Sequence, residues 1–181
     1  KHTCGIDEVG TIHCWGDREY NLLRSPTRGV FTSISTYDSH TCAMNDEGEG
    51  KCWGHNSHGE LQVPGWATLL SEVHAGSNFS CGVNGGIITC WGDDADRRGD
   101  SFDVGVVQTI TLGYNHGCGI KFSGAVDCWG AMPFGATQPP TGQFKQIDAG
   151  NDFTCGITTG NDAECWGDTS DGRTAVPATF P

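Results

Sequence analysis

Cys-Trp-Gly occurs five times in this chain, beginning at Cys14, Cys52, Cys90, Cys128 and Cys165, at intervals of about 38 residues. Self-similarity at a fixed period of this size marks a repeat architecture, in which each unit buries its apolar face only against its neighbours. A partner cysteine precedes each motif, at Cys4, Cys42, Cys81, Cys118 and Cys155. The two sets use all ten cysteines, and five of the six tryptophans fall in the motif.

Each cysteine couple brackets a hairpin signal. Place the two cysteines opposite each other on antiparallel strands and count inward. Four copies then leave a three-residue loop: Glu8-Val9-Gly10, Asp46-Glu47-Gly48, Phe122-Ser123-Gly124 and Thr159-Gly160-Asn161. Such a loop needs a left-handed last residue, and Gly or Asn stands there each time. In the third copy the cysteines are one residue closer. The same count leaves Gly85-Gly86, the composition a two-residue hairpin favours. Turn chemistry changes in step with spacing, which predicts cross-strand disulfides Cys4–Cys14, Cys42–Cys52, Cys81–Cys90, Cys118–Cys128 and Cys155–Cys165. Zinc would want closely spaced ligand pairs, and no Cys-x-x-Cys occurs. The histidines near the cysteines (His2, His13, His40, His55, His116) do not recur in every copy, so neither metal nor other cofactor is expected.

An extended segment precedes the first cysteine in copies two to five, with apolar pairs Phe31/Ile34, Leu70/Val73, Val107/Ile110 and Phe144/Ile147. The pattern predicts three or four short strands per repeat and no helix. A lone small sheet cannot bury both faces, whereas identical sheets stacked about an axis can. The expected fold is therefore all-β: a β-propeller of five repeats, with one hairpin disulfide per blade. The repeats run about 1–29, 30–67, 68–105, 106–142 and 143–181, in a single domain over 1–181. Five blades are favoured, as a ring lacking one outer strand, with a piece of a larger propeller as the alternative. The chain starts at Lys1 with no leader segment, as a mature or trimmed product would. The small residue after each first cysteine (Gly5, Ala43, Gly82, Gly119, Gly156) suggests that this strand sits at the crowded axis. The tryptophans read as core between blades.

The pattern His-Thr-Cys-Gly-Ile…Gly-x-x-x-Cys-Trp-Gly, with Ile147 to Gly150 before it, resembles the regulator-of-chromosome-condensation repeat. It is most similar to the extracellular, cysteine-containing version found in bacterial secreted proteins and in crinkly-type plant receptor-kinase ectodomains. The resemblance covers essentially the whole chain. It implies a β-propeller, usually of seven blades. The founding nuclear member exchanges nucleotide on a small GTPase and binds chromatin, a role at odds with paired cysteines and negative charge. A bacterial secreted relative inhibits β-lactamase, which implies a fold suited to gripping proteins.

The net charge of −12 would repel phosphate backbones, so nucleic acid is not an expected partner. No apolar run reaches membrane-spanning length, so no membrane insertion is expected. Paired cysteines place the chain outside the cytosol, secreted or at the cell surface. No nucleophile–base arrangement or phosphate loop stands out, and the chain reads as a binding module, not an enzyme.

The loops after Cys-Trp-Gly diverge most between copies. They supply the candidate binding residues Arg18, Tyr20, His55, His58, Asp94, Arg97, Met132 and Phe134. Their lack of resemblance to one another favours a single composite surface for a protein partner, in a cell-surface or appendage assembly. Inhibition of a secreted enzyme is a special case. The loops at Tyr37-Asp38, Ser77-Asn78, Tyr114-Asn115 and Asn151-Asp152 are more alike, which keeps a glycan-binding lectin as the alternative. Asn78-Phe79-Ser80 is a glycosylation sequon. The acidic run from Asp93 to Asp96 lacks the glycine and distal glutamate of a calcium-hand loop.

Overall fold

The computed structural model describes residues 1–65, 67–93, 104–131 and 136–177. Among the described residues, fourteen strands form five antiparallel sheets. The first has two strands, β1 (His2–Ile6) and β2 (Ile12–Gly16). The others have three each: β3 (Phe31–Thr36), β4 (His40–Asn45) and β5 (Gly50–Gly54); β6 (Glu72–Ala75), β7 (Phe79–Asn84) and β8 (Ile87–Gly92); β9 (Val107–Leu112), β10 (His116–Lys121) and β11 (Val126–Gly130); β12 (Phe144–Ala149), β13 (Phe153–Thr158) and β14 (Ala163–Gly167). Two single 3-10 turns, Glu19–Asn21 and Ser170–Gly172, are the helical segments among the described residues.

Every cysteine couple stands directly opposed in its ladder. All five are disulfides, with Cα separations of 4.0 to 4.2 Å. Gly10, Gly48, Gly124 and Asn161 hold φ of 82°, 79°, 85° and 74°, the left-handed close of a three-residue loop. In the shortened third copy both Gly85 and Gly86 have positive φ, at 54° and 82°.

The alternation of a strand assigns each side chain to one of two faces. Trp53, Trp91, Trp129 and Trp166 pair across the ladder with the residue before the first cysteine: Thr41, Ser80, Gly117 and Thr154. These pairs face the preceding sheet. The disulfide and the aliphatic residue two places on face the following one. Cys42 and Met44 thus pack with Leu70, Val73 and Trp91. Cys81 and Val83 pack with Ile110, Leu112 and Trp129, and Cys118 and Ile120 with Phe144, Ile147 and Trp166. Cys4, Cys14 and Ile6 pack with Phe31, Ala43 and Trp53. Among the described residues the core is therefore four layers between consecutive blades, and the first four disulfides each lie within a layer, under the tryptophan of the next blade, while Cys155–Cys165 borders an open cleft. Three indoles extend the grip by donating Nε1–H to a carbonyl on the preceding blade's exit loop: Trp53 to Leu22, Trp91 to Glu60 and Trp166 to Ala136, at 2.9, 2.9 and 3.0 Å.

The axis belongs to a different strand from the one expected. β3, β6, β9 and β12 pack in succession against one another. They are tied by backbone N–H groups donating to side chains of the neighbour: Ala75 to Ser35 Oγ, Ile110 to Glu72 Oε1 and Ala149 to Thr111 Oγ1. The cysteine-bearing strand lies in the middle of its sheet. Its small residue makes room for the apolar side chain entering the same blade. A Cβ at Gly82 would come within 2.9 Å of Leu70, one at Gly119 within 2.9 Å of Val107, and one at Gly156 within 2.6 Å of Phe144. It follows that the strand without a counterpart in the first sheet is the axis-lining one, not an outer one.

Candidate functional site

Because the strands run up, down and up, the bends between first and second strands lie at the same end as the loops leaving Cys-Trp-Gly. The backbone joins them in every blade. Asp17, His55, Asp93, Ala131 and Asp168 donate N–H to the carbonyls of Lys1, Ser39, Asn78, Asn115 and Asp152, at 2.8 to 3.0 Å. The hairpin turns occupy the opposite end.

At the axis this loop end holds a cleft of about 440 Å³, lined by Lys1, His2, Tyr37, Asp38, Tyr114 and Asn151 among others. Tyr37 crosses it, donating its hydroxyl to Asn151 Oδ1 at 2.8 Å. The Tyr114 N–H donates to the Asn151 carbonyl at 3.0 Å. Burial pushes the Tyr37 phenol well above its ordinary acidity range, and the charges of Asp152 and Asp38 push in the same direction. Tyr37 and Tyr114 do not occupy equivalent repeat positions: Tyr37 stands where the other copies have Gly76, Gly113 and Gly150. The cleft is one composite site, not one unit of a repeated one.

A smaller depression of about 150 Å³ adjoins it, sharing Lys1 and Asp38 and reaching Asp17, Glu19 and Tyr20. Tyr20 is held at φ 51° within the Glu19–Asn21 turn, and its ring meets the edge of His55 at 4.6 Å between centroids. Tyr20 is 53% exposed and Tyr114 is 42% exposed. Arg18 is exposed in the same turn. His55 Nδ1 lies 2.8 Å from Glu60 Oε1, and the His58 N–H donates to Glu60 Oε2 at 2.8 Å. Glu60 is fully buried. Burial alone would raise its pKa, but the backbone N–H groups of Glu60 and His58 and the His55 ring outweigh that and hold the carboxyl below its usual range.

Of the residues picked from the sequence, Arg18, Tyr20, His55 and His58 thus share one end, with Tyr20 and His55 in contact. Asp94, Arg97, Met132 and Phe134 lie outside the described residues. Asn78 sits half-buried in a bend at this end, with Ser80 of its sequon fully buried. Reading the loops missed the weight of Tyr37, Tyr114 and Asn151, and it missed Glu60. The signal for Glu60 was present: it holds the place, seven residues after the tryptophan, where Leu22 and Ala136 stand in other copies.

The family model for the regulator of chromosome condensation (RCC1) repeat matches residues 31–60, 107–136 and 144–173. No curated protein matches the chain. Among solved structures, the ectodomain of the Physcomitrella patens receptor kinase CR4 is similar at 28% identity and a TM-score of 0.80, over 97% of this chain and 52% of that one. The CRINKLY ectodomain of the Arabidopsis thaliana receptor kinase ACR4 is similar at 27% identity and a TM-score of 0.74, over 99% of this chain and 63% of that one. The chain thus spans between half and two thirds of the length of these ectodomains. Prp20p from Saccharomyces cerevisiae, at 12% identity, shares the fold, with a TM-score of 0.83.

Proposed function

This chain is a disulfide-bonded propeller of the RCC1 repeat family, and we propose that it is an extracellular binding module that grips a protein partner through its loop end. One observation carries the reading: all three tyrosines of the chain, Tyr20, Tyr37 and Tyr114, lie on that end, around two adjoining depressions. Tyrosine supplies large, rigid contact area with a polar tip and is enriched where binding energy concentrates. Ectodomain neighbours and five disulfides support an extracellular setting. Asp17, Glu19, Asp38 and Asp152 surround the tyrosines, so the partner should present a basic rim, and association should slow with added salt. A secreted enzyme held by its basic surface is one such partner.

A glycan is the second reading, favoured by the mix of Tyr37, Asp38, Tyr114 and Asn151 in the axial cleft. The two readings separate by experiment. A glycan array probed with the intact chain should stay blank, while crosslinking in extracellular material should capture a partner. Tyr20→Ala with Tyr114→Ala should abolish that capture, and Phe122→Ala on the hairpin end should leave it intact. Array binding to one sugar class, lost in Tyr114→Ala, would replace the protein reading with the lectin.

A further inference from the structure

The loop end carries the tyrosines, and the opposite end is aliphatic. Of the nine large apolar side chains exposed among the described residues, six stand at the hairpin end: Val9, Val30, Leu69, Ile87, Val106 and Phe122. Three of them surround the third hairpin, the one shortened by a residue: Leu69 is 72% exposed, Ile87 65% and Val106 53%. A Cβ at Gly86 would come within 2.4 Å of Val106 Cγ1, so Val106 rests on the turn itself. Asn84 Nδ2 donates to the Thr68 carbonyl at 2.8 Å, which holds Leu69 beside it. The Gly85-Gly86 tip carries no side chains, whereas the neighbouring tips present Asp46-Glu47 and Phe122-Ser123. The result is an open, mainly apolar notch of about 350 Å³, lined among the described residues by Ala67, Leu70, Asn84, Gly85, Ile87 and Thr89.

The notch is particular to this blade. Ile87 and Thr89 share a face of β8 with Trp91, the face turned to the preceding blade. Every other copy places at least one ionisable group at these two positions: Thr11/His13, Glu49/Lys51, Ala125/Asp127 and Asp162/Glu164. In three of those blades the group is paired on its own hairpin, His13 with Asp7, Lys51 with Glu49 and Asp127 with Lys121. Backbone strain falls at the same place. Leu69 has φ 60°, a conformation that favours glycine, yet its side chain is exposed, so the strain gains no burial. The acidic second hairpin borders it: the Leu70 N–H donates to the Gly48 carbonyl at 2.9 Å. Asp46 and Glu47 at that tip are exposed, with no ion-pair partner among the described residues.

We propose that this notch is a second docking surface, taking an apolar side chain of a partner protein that is flanked by lysine or arginine. The apolar side chain enters between Leu70 and Ile87, and the basic groups meet Asp46 and Glu47. Charge complementarity selects this occupant. A second copy would set a chain of net charge −12 against the same acidic tip, and an anionic membrane would meet the same repulsion. The surface lies opposite the tyrosines, so one module can hold two partners at once.

Four short fluorescent peptides, built from Leu/Lys, Leu/Glu, Ser/Lys and Ser/Glu, test the surface by anisotropy in about 0.15 M salt, where long-range attraction is screened. The Leu/Lys peptide should bind at least about tenfold more tightly than the other three. Leu69→Gly with Ile87→Ser should weaken it by about tenfold, and so should Asp46→Asn with Glu47→Gln. Tyr20→Ala with Tyr114→Ala should leave it unchanged, which separates this surface from the loop end. Leu69→Gly alone relieves the left-handed backbone and should not lower Tm, so its weaker binding is not lost folding. No Leu/Lys binding, equal binding of Leu/Glu, or binding lost in the tyrosine variant and kept in the notch variants would each overturn the proposal. So would self-association in sedimentation, or binding to phosphatidylcholine vesicles, that Leu69→Gly with Ile87→Ser removes; the occupant would then be a second copy or a lipid surface.

Discussion

The Tyr37 hydroxyl donates to Asn151 Oδ1 at 2.8 Å, tying the second blade to the fifth across 114 residues of sequence. Tyr37→Phe keeps the ring and removes the bond, at a cost of about 1 kcal/mol. The pH dependence follows from the raised folded-state pKa. The unfolded phenol releases its proton near 10, while the folded one holds it, so stability is fully present below that pH and falls as pH rises beyond it. Thermal unfolding at pH 9 and pH 11 should show a larger loss for the parent chain than for Tyr37→Phe. Equal losses would show that burial, with the aspartates beside it, does not hold the phenol protonated in the fold. All ten cysteines are paired, so no free thiol initiates exchange during the measurement.

The disulfides close loops of nearly equal length, with separations of nine or ten residues, so the chain-entropy contribution is about the same for each, roughly 2–3 kcal/mol. Their surroundings differ. Cys42, Cys81 and Cys118 are fully buried under the next blade, while Cys155 and Cys165 border an open cleft. Under graded reductant, alkylation and peptide mapping should find Cys155–Cys165 opened before Cys81–Cys90. Replacing Cys81 and Cys90 by serine should also cost more stability than replacing Cys155 and Cys165, by about 1–2 kcal/mol of lost packing.

Local chemistry made much of this fold legible. The one-residue contraction between Cys81 and Cys90, met by Gly85-Gly86, specified the register of the hairpins before any coordinates. Trp53, Trp91, Trp129 and Trp166 read correctly as core between blades, and strand alternation in the folded chain sets them on the face opposite the cysteines. What alternation cannot say is which neighbour a face meets or which strand lines the axis. Gly82 and Gly119 therefore read as axial, when their smallness serves Leu70 and Val107 of their own blades. The binding end was harder still. Tyr20, Tyr37 and Tyr114 hold three different repeat positions, so no repeat pattern unites them; only the curvature of the stack does. Glu60 was missed, although it stands where Leu22 and Ala136 are found in other copies, and its partners His55 and His58 bond it through a local loop geometry that composition does not encode.

The matching of His40 to Ser80 yields the sharpest energetic prediction. Ser80 donates its hydroxyl to the Glu60 carbonyl at 3.0 Å, so it accepts from the His40 Nε2–H, and Nδ1 is the unprotonated nitrogen. Nδ1 is buried with no hydrogen-bond partner among the described residues. A proton placed there would have no acceptor, and burial accordingly lowers the His40 pKa to about 4, as it does for His116. The unfolded chain binds that proton near pH 6.5, so stability is present above 6.5, falls as pH drops towards 4 and levels off below it. His40→Phe removes this dependence but drives a phenyl ring against Ser80, and alone it should destabilise by about 1–3 kcal/mol. Pairing it with Ser80→Gly reproduces the next layer, where Phe79 is fully buried beside Trp129 and the following blade has Gly117, whose Cβ would come within 2.4 Å of that indole. Denaturant titrations of the two single variants and the double should give a coupling of at least about 1 kcal/mol in favour of the double. The double variant should also lose less stability than the parent between pH 7 and pH 4.5. Additive single effects would show that the two positions do not read each other.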